Sequence, residues 1–136
     1  MARSSRGLGK CAQRGAAIAE FAVCLPIIVL IVFATLEATE MIFLKQSLTI
    51  SAYEGARAAL VPEVENGSVE ATCQGILDDR LVNSATIVVN PSDVASAPVG
   101  TYISIDVSAP AVGNVFNAIL TRGSVVTAHV EMMKEF

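Results

Sequence analysis

From Phe21 to Leu36 the chain carries no charged residue, and Ala16 to Ala19 extend the apolar character backwards across a single glutamate, Glu20. The segment comes to about 20 residues, the length a helix needs to cross the hydrocarbon core of a bilayer. An apolar content of 53% and a mean hydropathy of +0.59 are high for a soluble protein of this size, and this run supplies much of the excess. The 136 residues allow one small extracytoplasmic domain beside such an anchor, not two cored domains.

Charge fixes the expected orientation. Arg3, Arg6, Lys10 and Arg14 all precede Gly15, with no acidic residue among them. Basic residues just before an apolar run hold the N-terminus in the cytoplasm. Taking those four cations from a chain of net charge −4 leaves a remainder at −8, a poor match for nucleic-acid phosphates. Residues 1–15 are rich in Arg, Ser and Gly, show no hydrophobic period, and read as a flexible cytoplasmic leader.

Pro26 lies within the run. Near the start of a membrane helix it is tolerated, because neighbouring groups satisfy the freed carbonyl, so a kink and not a break is expected. Beyond the run, Leu44, Leu48, Ala52, Gly55 and Ala59 recur at helical spacing, with Glu40, Lys45, Gln46, Glu54 and Arg57 on the polar side. One helix from about Ala17 to Leu60 is predicted, with 16–36 in the membrane and 37–61 beyond it. Pro62 and Asn66-Gly67 end it in a turn.

A second helix is predicted from Ser68 to Val82, with Ser68 as N-cap, Glu70 in the first turn, and an apolar stripe of Val69, Cys73, Ile76, Leu77 and Leu81. Strands follow at Thr86–Asn90, Tyr102–Ala109 and Val125–Met132. The second alternates Ile103, Ile105 and Val107 against Ser104, Asp106 and Ser108. The third sets Val126, Ala128, Val130 and Met132 inward. Between them Val112, Val115, Phe116, Ile119 and Leu120 have helical spacing, bracketed by Pro110 and Gly123, which suggests a short helix or lid. The expected class is α+β: a long N-terminal helix, a short helix and a small antiparallel sheet of about three strands. The sheet, within the 62–136 domain, packs on the amphipathic half of the first helix. Strand order stays open.

The chemistry concentrates at Arg14-Gly15-Ala16-Ala17-Ile18-Ala19-Glu20-Phe21. A carboxylate within a lipid-bound helix costs roughly 2.5–3.5 kcal/mol when central and less near the interface. Cleavage after Gly15 would leave a free amine on Ala16, about one helical turn from Glu20, and the new positive charge could pair with that carboxylate in the same or a neighbouring subunit. Gly15 would break the helix at the cut and offer no side chain to a protease. A cut before the apolar run keeps the helix, whereas a secretory signal peptide loses it.

Arg-Gly, a glutamate five residues on with an aromatic beside it, and a hydrophobic run together resemble the processing site of type IV prepilins. The longer stretch from Arg14 to Pro26 resembles the TadE-like family of tight-adherence pilus systems, and Ala52-Tyr53-Glu54-Gly55-Ala56-Arg57-Ala58-Ala59 is similar to that family's second recognisable segment. The resemblance covers about the first sixty residues. It implies cleavage by a prepilin peptidase, with Gly15 before the cut, Ala16 as the new N-terminus, and Glu20 with Phe21 in recognition and assembly. It also implies a minor pilin or pseudopilin working with other minor pilins, the Flp-type pilin and an inner-membrane assembly platform. The major subunits of such systems are little more than a helix, so the extra domain here fits a minor or priming subunit.

Other residues have ordinary readings. Glu37 and Glu40 read as a solvated helix face, Gly55-Ala56-Arg57 as a packing notch, and Asp78-Asp79-Arg80 as solvated. Cys73 reads as a buried, inert thiol and His129 as an exposed strand residue. Cys11, Cys24 and Cys73 fall in three environments, so no intramolecular disulfide is expected in the mature domain. A single histidine and no ligand cluster give no metal site and no cofactor. Without a nucleophile elbow or phosphate loop the chain is not expected to be an enzyme. The alternative to a pilus role is an uncut, single-pass binding module outside any pilus machine.

Overall fold

A computed structural model describes residues 8–116 and 118–135, with side chains from residue 15 onwards. The elements are α1 (Leu8–Ala59), α2 (Asn66–Asp79), β1 (Thr86–Asn90), β2 (Tyr102–Pro110) and β3 (Val125–Met133). The class is α+β, as the patterning predicts. The chain divides into two compact units, Met1–Leu36 and Glu37–Phe136, and α1 contributes to both.

In the first unit α1 begins at Leu8, well before the expected start near Ala17. Residues 10–14, Lys-Cys-Ala-Gln-Arg, include several good helix formers, and a glycine inside a helix costs only about 1 kcal/mol relative to alanine. Gly15 therefore does not break the helix. Residues 1–7 of the expected leader lie outside the described residues, as do the side chains of 8–14. Pro26 sits inside α1, which continues through it. The apolar window is wholly exposed, and among the described residues α1 is the one helix long and apolar enough to cross a membrane.

The second unit is built on a three-stranded antiparallel sheet in the order β1-β2-β3, which settles the strand order. β2 is central, with Ile87 opposite Val107 on one side and Val107 opposite Ala128 on the other. Its alternation holds: Ile103, Ile105 and Val107 are fully buried, while Ser104, Asp106 and Ser108 face away. Leu44, Leu48, Ala52, Ala56 and Ala59 from α1 join them in one core, together with Val69, Cys73 and Leu77 from α2.

α2 departs from expectation at both ends. It starts at Asn66, and the N-cap is Glu65 with no side-chain cap. The Asn66 side chain is used elsewhere: its Nδ2 donates to the Ser92 carbonyl at 2.8 Å and its Oδ1 accepts from the Val94 N–H at 2.8 Å. At the other end Leu81 has φ +56°, in the left-handed region, while the Val82 N–H closes back onto the Leu77 carbonyl at 2.9 Å. That closure ends the helix and turns Leu81 off the stripe, so it is exposed where burial was expected. Val69, Cys73 and Leu77 are buried as read, and Ile76 is half-buried.

The segment from Val112 to Leu120 is not a helix. Gly113 adopts φ +91°, which stops helical propagation soon after Pro110. Asn114 then pins the chain: its Oδ1 accepts from the Asn83 N–H at 2.6 Å, and its Nδ2 donates to the carbonyls of Asn83 and Pro110. Val115 is buried, whereas Val112, Phe116, Ile119 and Leu120 are exposed.

A buried lysine closes the other long connection. Lys134 is 6% exposed, and its Nζ donates to the carbonyls of Val94 at 3.0 Å and Ala95 at 3.3 Å. Lys134→Met keeps most of the side-chain volume but leaves these carbonyls without their charged donor. It should lower the unfolding free energy by about 1–2 kcal/mol in urea titration of the detergent-solubilised chain. An unchanged midpoint would show that the contact contributes nothing.

Candidate functional site

The residues singled out for processing share the first unit. Gly15, Ala16, Glu20 and Phe21 all lie on α1 and are exposed. Ala16 and Glu20 are four residues apart, hence on one helical face about 6 Å apart along the axis. An amine on Ala16 would fall within reach of that carboxylate.

Gly15 and Gly55 of α1 contrast sharply. A Cβ built on Gly55 would collide with Cys73 Sγ and lie 3.1 Å from Ile105 Cδ1, so packing demands glycine there. A Cβ on Gly15 would meet nothing within 4 Å. Glycine at 15 carries the helix-propensity penalty with no packing return within the chain.

A second constellation, unexpected from the sequence, lies in the second unit. Glu37 is only 5% exposed, and its Oε1 accepts from the N–H of Leu120 at 2.9 Å, the N–H of Thr121 at 2.7 Å and the Thr121 hydroxyl at 2.7 Å. Glu40 Oε2 accepts from the Phe116 N–H at 2.6 Å. The two carboxylates take over backbone donors that a helix through 112–120 would have satisfied internally. The solvated-face reading of Glu37 and Glu40 is thus corrected: both hold the 112–121 loop. The signal was present, because Glu37 stands seven residues before Leu44, at the head of the inward stripe.

These hydrogen bonds hold the Glu37 carboxyl below the ordinary carboxylate range. The Thr121 hydroxyl acts most strongly, the amides of Thr121 and Leu120 add to it, and burial opposes them. Because the folded pKa is depressed, the stabilisation is full above the unfolded value of about 4.3 and fades as pH falls through the lower folded value. The Leu120 and Thr121 amides should keep their exchange protection from neutral pH to about pH 5, once intrinsic rates are corrected, and lose it in stronger acid. Glu37→Gln should flatten that dependence. Protection in the wild type that ignores acid would contradict the assignment.

Elsewhere the contacts are those of core packing and polar faces. Ser51 Oγ donates to the Cys73 carbonyl at 3.0 Å, and Cys73 Sγ donates to the Ser51 carbonyl at 3.5 Å. Burial pushes the Cys73 thiol up, which disfavours the reactive thiolate. His129 Nδ1 lies 2.8 Å from Asp106 Oδ1 across β2 and β3, an exposed cross-strand pair on the polar face. Arg57 and Glu54 form an exposed pair at 3.8 Å, worth little on its own. Asp78, Asp79 and Arg80 are exposed. Among the described residues no three His, Cys, Asp or Glu side chains gather as metal ligands.

Comparison with known families bears on most of α1. The family described as TadE-like protein matches residues 15–57. Over that segment the chain is similar to the TadE-like family. The match opens at the glycine that packing leaves unexplained and closes beyond the glycine that Cys73 demands. The TadE-like segment therefore spans both the apolar run and the amphipathic stripe, and the sheet lies outside it. Neither a curated protein nor a solved structure matches the chain. The single apolar helix is compatible with a single-pass membrane anchor.

Proposed function

We propose that this chain is a minor pilin-like protein of a tight-adherence pilus system, anchored in the inner membrane by α1 and cut after Gly15 by a prepilin peptidase. The supporting observation is the TadE-like match across 15–57, which begins at Gly15 itself. The lack of any packing reason for that glycine points the same way. On this reading the N-terminus is cytoplasmic and residues 37–136 are periplasmic. Cleavage creates an Ala16 amine that pairs with Glu20, in the same helix or in a neighbour. The helix then leaves lipid for a bundle of subunit helices, exchanging one set of apolar contacts for another.

The role proposed is structural and non-enzymatic: starting, anchoring or tipping a pilus alongside the Flp-type pilin, other minor pilins and the assembly platform. Several polar side chains of the second unit, Glu37, Asn114 and Lys134 among them, hold loops in place. Deleting the gene in its host should abolish or sharply reduce surface pili in electron micrographs, and the wild-type gene should restore them. Normal piliation in the deletion strain would favour an anchored binding module outside a pilus machine.

A further inference from the structure

The apolar side chains displayed by the 112–121 loop have no function in the reading above. Phe116 is 76% exposed, Ile119 66% and Leu120 73%, and exposed Arg122 follows them. Side chains of this size normally enter a core. Here the loop is instead fixed with its apolar tip outward, by Glu37 on the Leu120 and Thr121 amides and by Glu40 on the Phe116 amide.

The position of those two anchors in the chain identifies what the tip meets. Glu37 directly follows Leu36, the last residue of the charge-free run, and Glu40 comes three residues later. At 1.5 Å per helical residue both fall within roughly 6 Å of the end of that run. The headgroup zone beyond the hydrocarbon core is about 5–8 Å deep on each side. Aromatic and aliphatic side chains with a cationic neighbour suit this boundary, with the apolar groups among acyl chains and the guanidinium at phosphate level.

We propose that the 112–121 loop is a second membrane contact, with Phe116, Ile119 and Leu120 entering the outer-leaflet interface of the bilayer that α1 crosses. The inference rests on the membrane-spanning reading of α1. Glu37 and Glu40 act as positioning residues that hold the loop at interface depth. The contact gives the periplasmic unit a seat on the membrane besides the helix, and it would be released when the helix leaves the bilayer.

The chain contains no tryptophan, so each engineered one is a single reporter. Phe116→Trp, Leu120→Trp and, as a control within the span, Phe33→Trp are placed in the full chain. Each is reconstituted in phosphatidylethanolamine–phosphatidylglycerol vesicles, with or without lipid brominated along its acyl chains. The expected result is blue-shifted emission at Phe116→Trp and Leu120→Trp that brominated lipid largely quenches, independent of protein density. Emission like that of N-acetyltryptophanamide in the same suspension, with Phe33→Trp quenched, would overturn the loop contact while leaving the span intact. A blue shift that grows with protein density and ignores bromine would overturn it in favour of a second copy covering the loop. An unquenched Phe33→Trp would remove the spanning reading and this inference together.

Discussion

Gly55→Ala should destabilise the second unit by about 1–2 kcal/mol, although the same change in an open helix would stabilise it by up to about 1 kcal/mol. Two effects compete. Alanine loses less backbone entropy on entering a helix, which favours the variant. Its methyl group, however, would overlap Cys73 Sγ and crowd Ile105 Cδ1, both in the fully buried core where α1, α2 and β2 meet. Neither neighbour is a flexible surface side chain that can swing away. Overpacking of a closed core costs about 1–3 kcal/mol, so the clash outweighs the propensity gain.

The clash also has a specific relief. Cys73→Ala removes the Sγ atom and gives up the long sulfur contact to the Ser51 carbonyl, so by itself it should be mildly destabilising. Combined with Gly55→Ala it should recover much of the lost stability, because the new methyl group occupies the space of the sulfur. The cycle of four chains, followed by urea titration in detergent, should show a favourable coupling of about 1 kcal/mol or more. Strict additivity would mean that Gly55 serves something other than close approach to α2.

Glu20→Ala should leave membrane insertion intact and cut assembly severely. Insertion becomes easier, because a carboxylate is costly in an apolar helix. On the proposed reading, assembly loses the partner of the Ala16 amine in an environment without water. Breaking one side of such a desolvated pair costs about 3–5 kcal/mol, roughly a hundredfold or more in an equilibrium constant. Membrane fractionation and pilus counts of the complemented deletion strain read the two effects separately. Loss of the protein from the membrane fraction, or normal pilus numbers, would contradict this role for the glutamate.

The strands were legible because their chemistry is local. Ile103, Ile105 and Val107 alternate with polar residues, and Thr86–Asn90 is a β-branched run closed by Pro91, which cannot donate to a ladder. The α1 stripe was legible for the same reason, since Leu44, Leu48, Ala52 and Ala59 repeat with the helical period. The misread elements depend on partners distant in sequence. Val112, Val115, Phe116, Ile119 and Leu120 have a helix's spacing. The donors that decide their conformation, however, are met by Glu37 and Glu40 more than seventy residues earlier. Leu81 fitted the α2 stripe until the left-handed turn took it away. Lys134 carries no local signal of its role, and only the fold brings the Val94 and Ala95 carbonyls to it.

The pattern proposed as a processing motif was visible in composition alone: a glycine, a glutamate five residues on, and an apolar run. Its geometry was not. Gly15 lies within α1, which starts at Leu8, so on the proposed reading a peptidase would have to unwind a turn to extend the chain at the cut. Glycine, with its low helix propensity, eases that unwinding, and this accounts better for Gly15 than a pre-existing break does.

The most direct test is the mature N-terminus, read by intact mass after co-expression with a cognate prepilin peptidase, with Gly15→Trp as the control. A chain beginning at Ala16, produced from the wild type and not from the Gly15 variant, is the predicted result. An uncut chain, or one cut after the apolar run, would contradict the pilin reading and leave a plainly anchored or secreted domain.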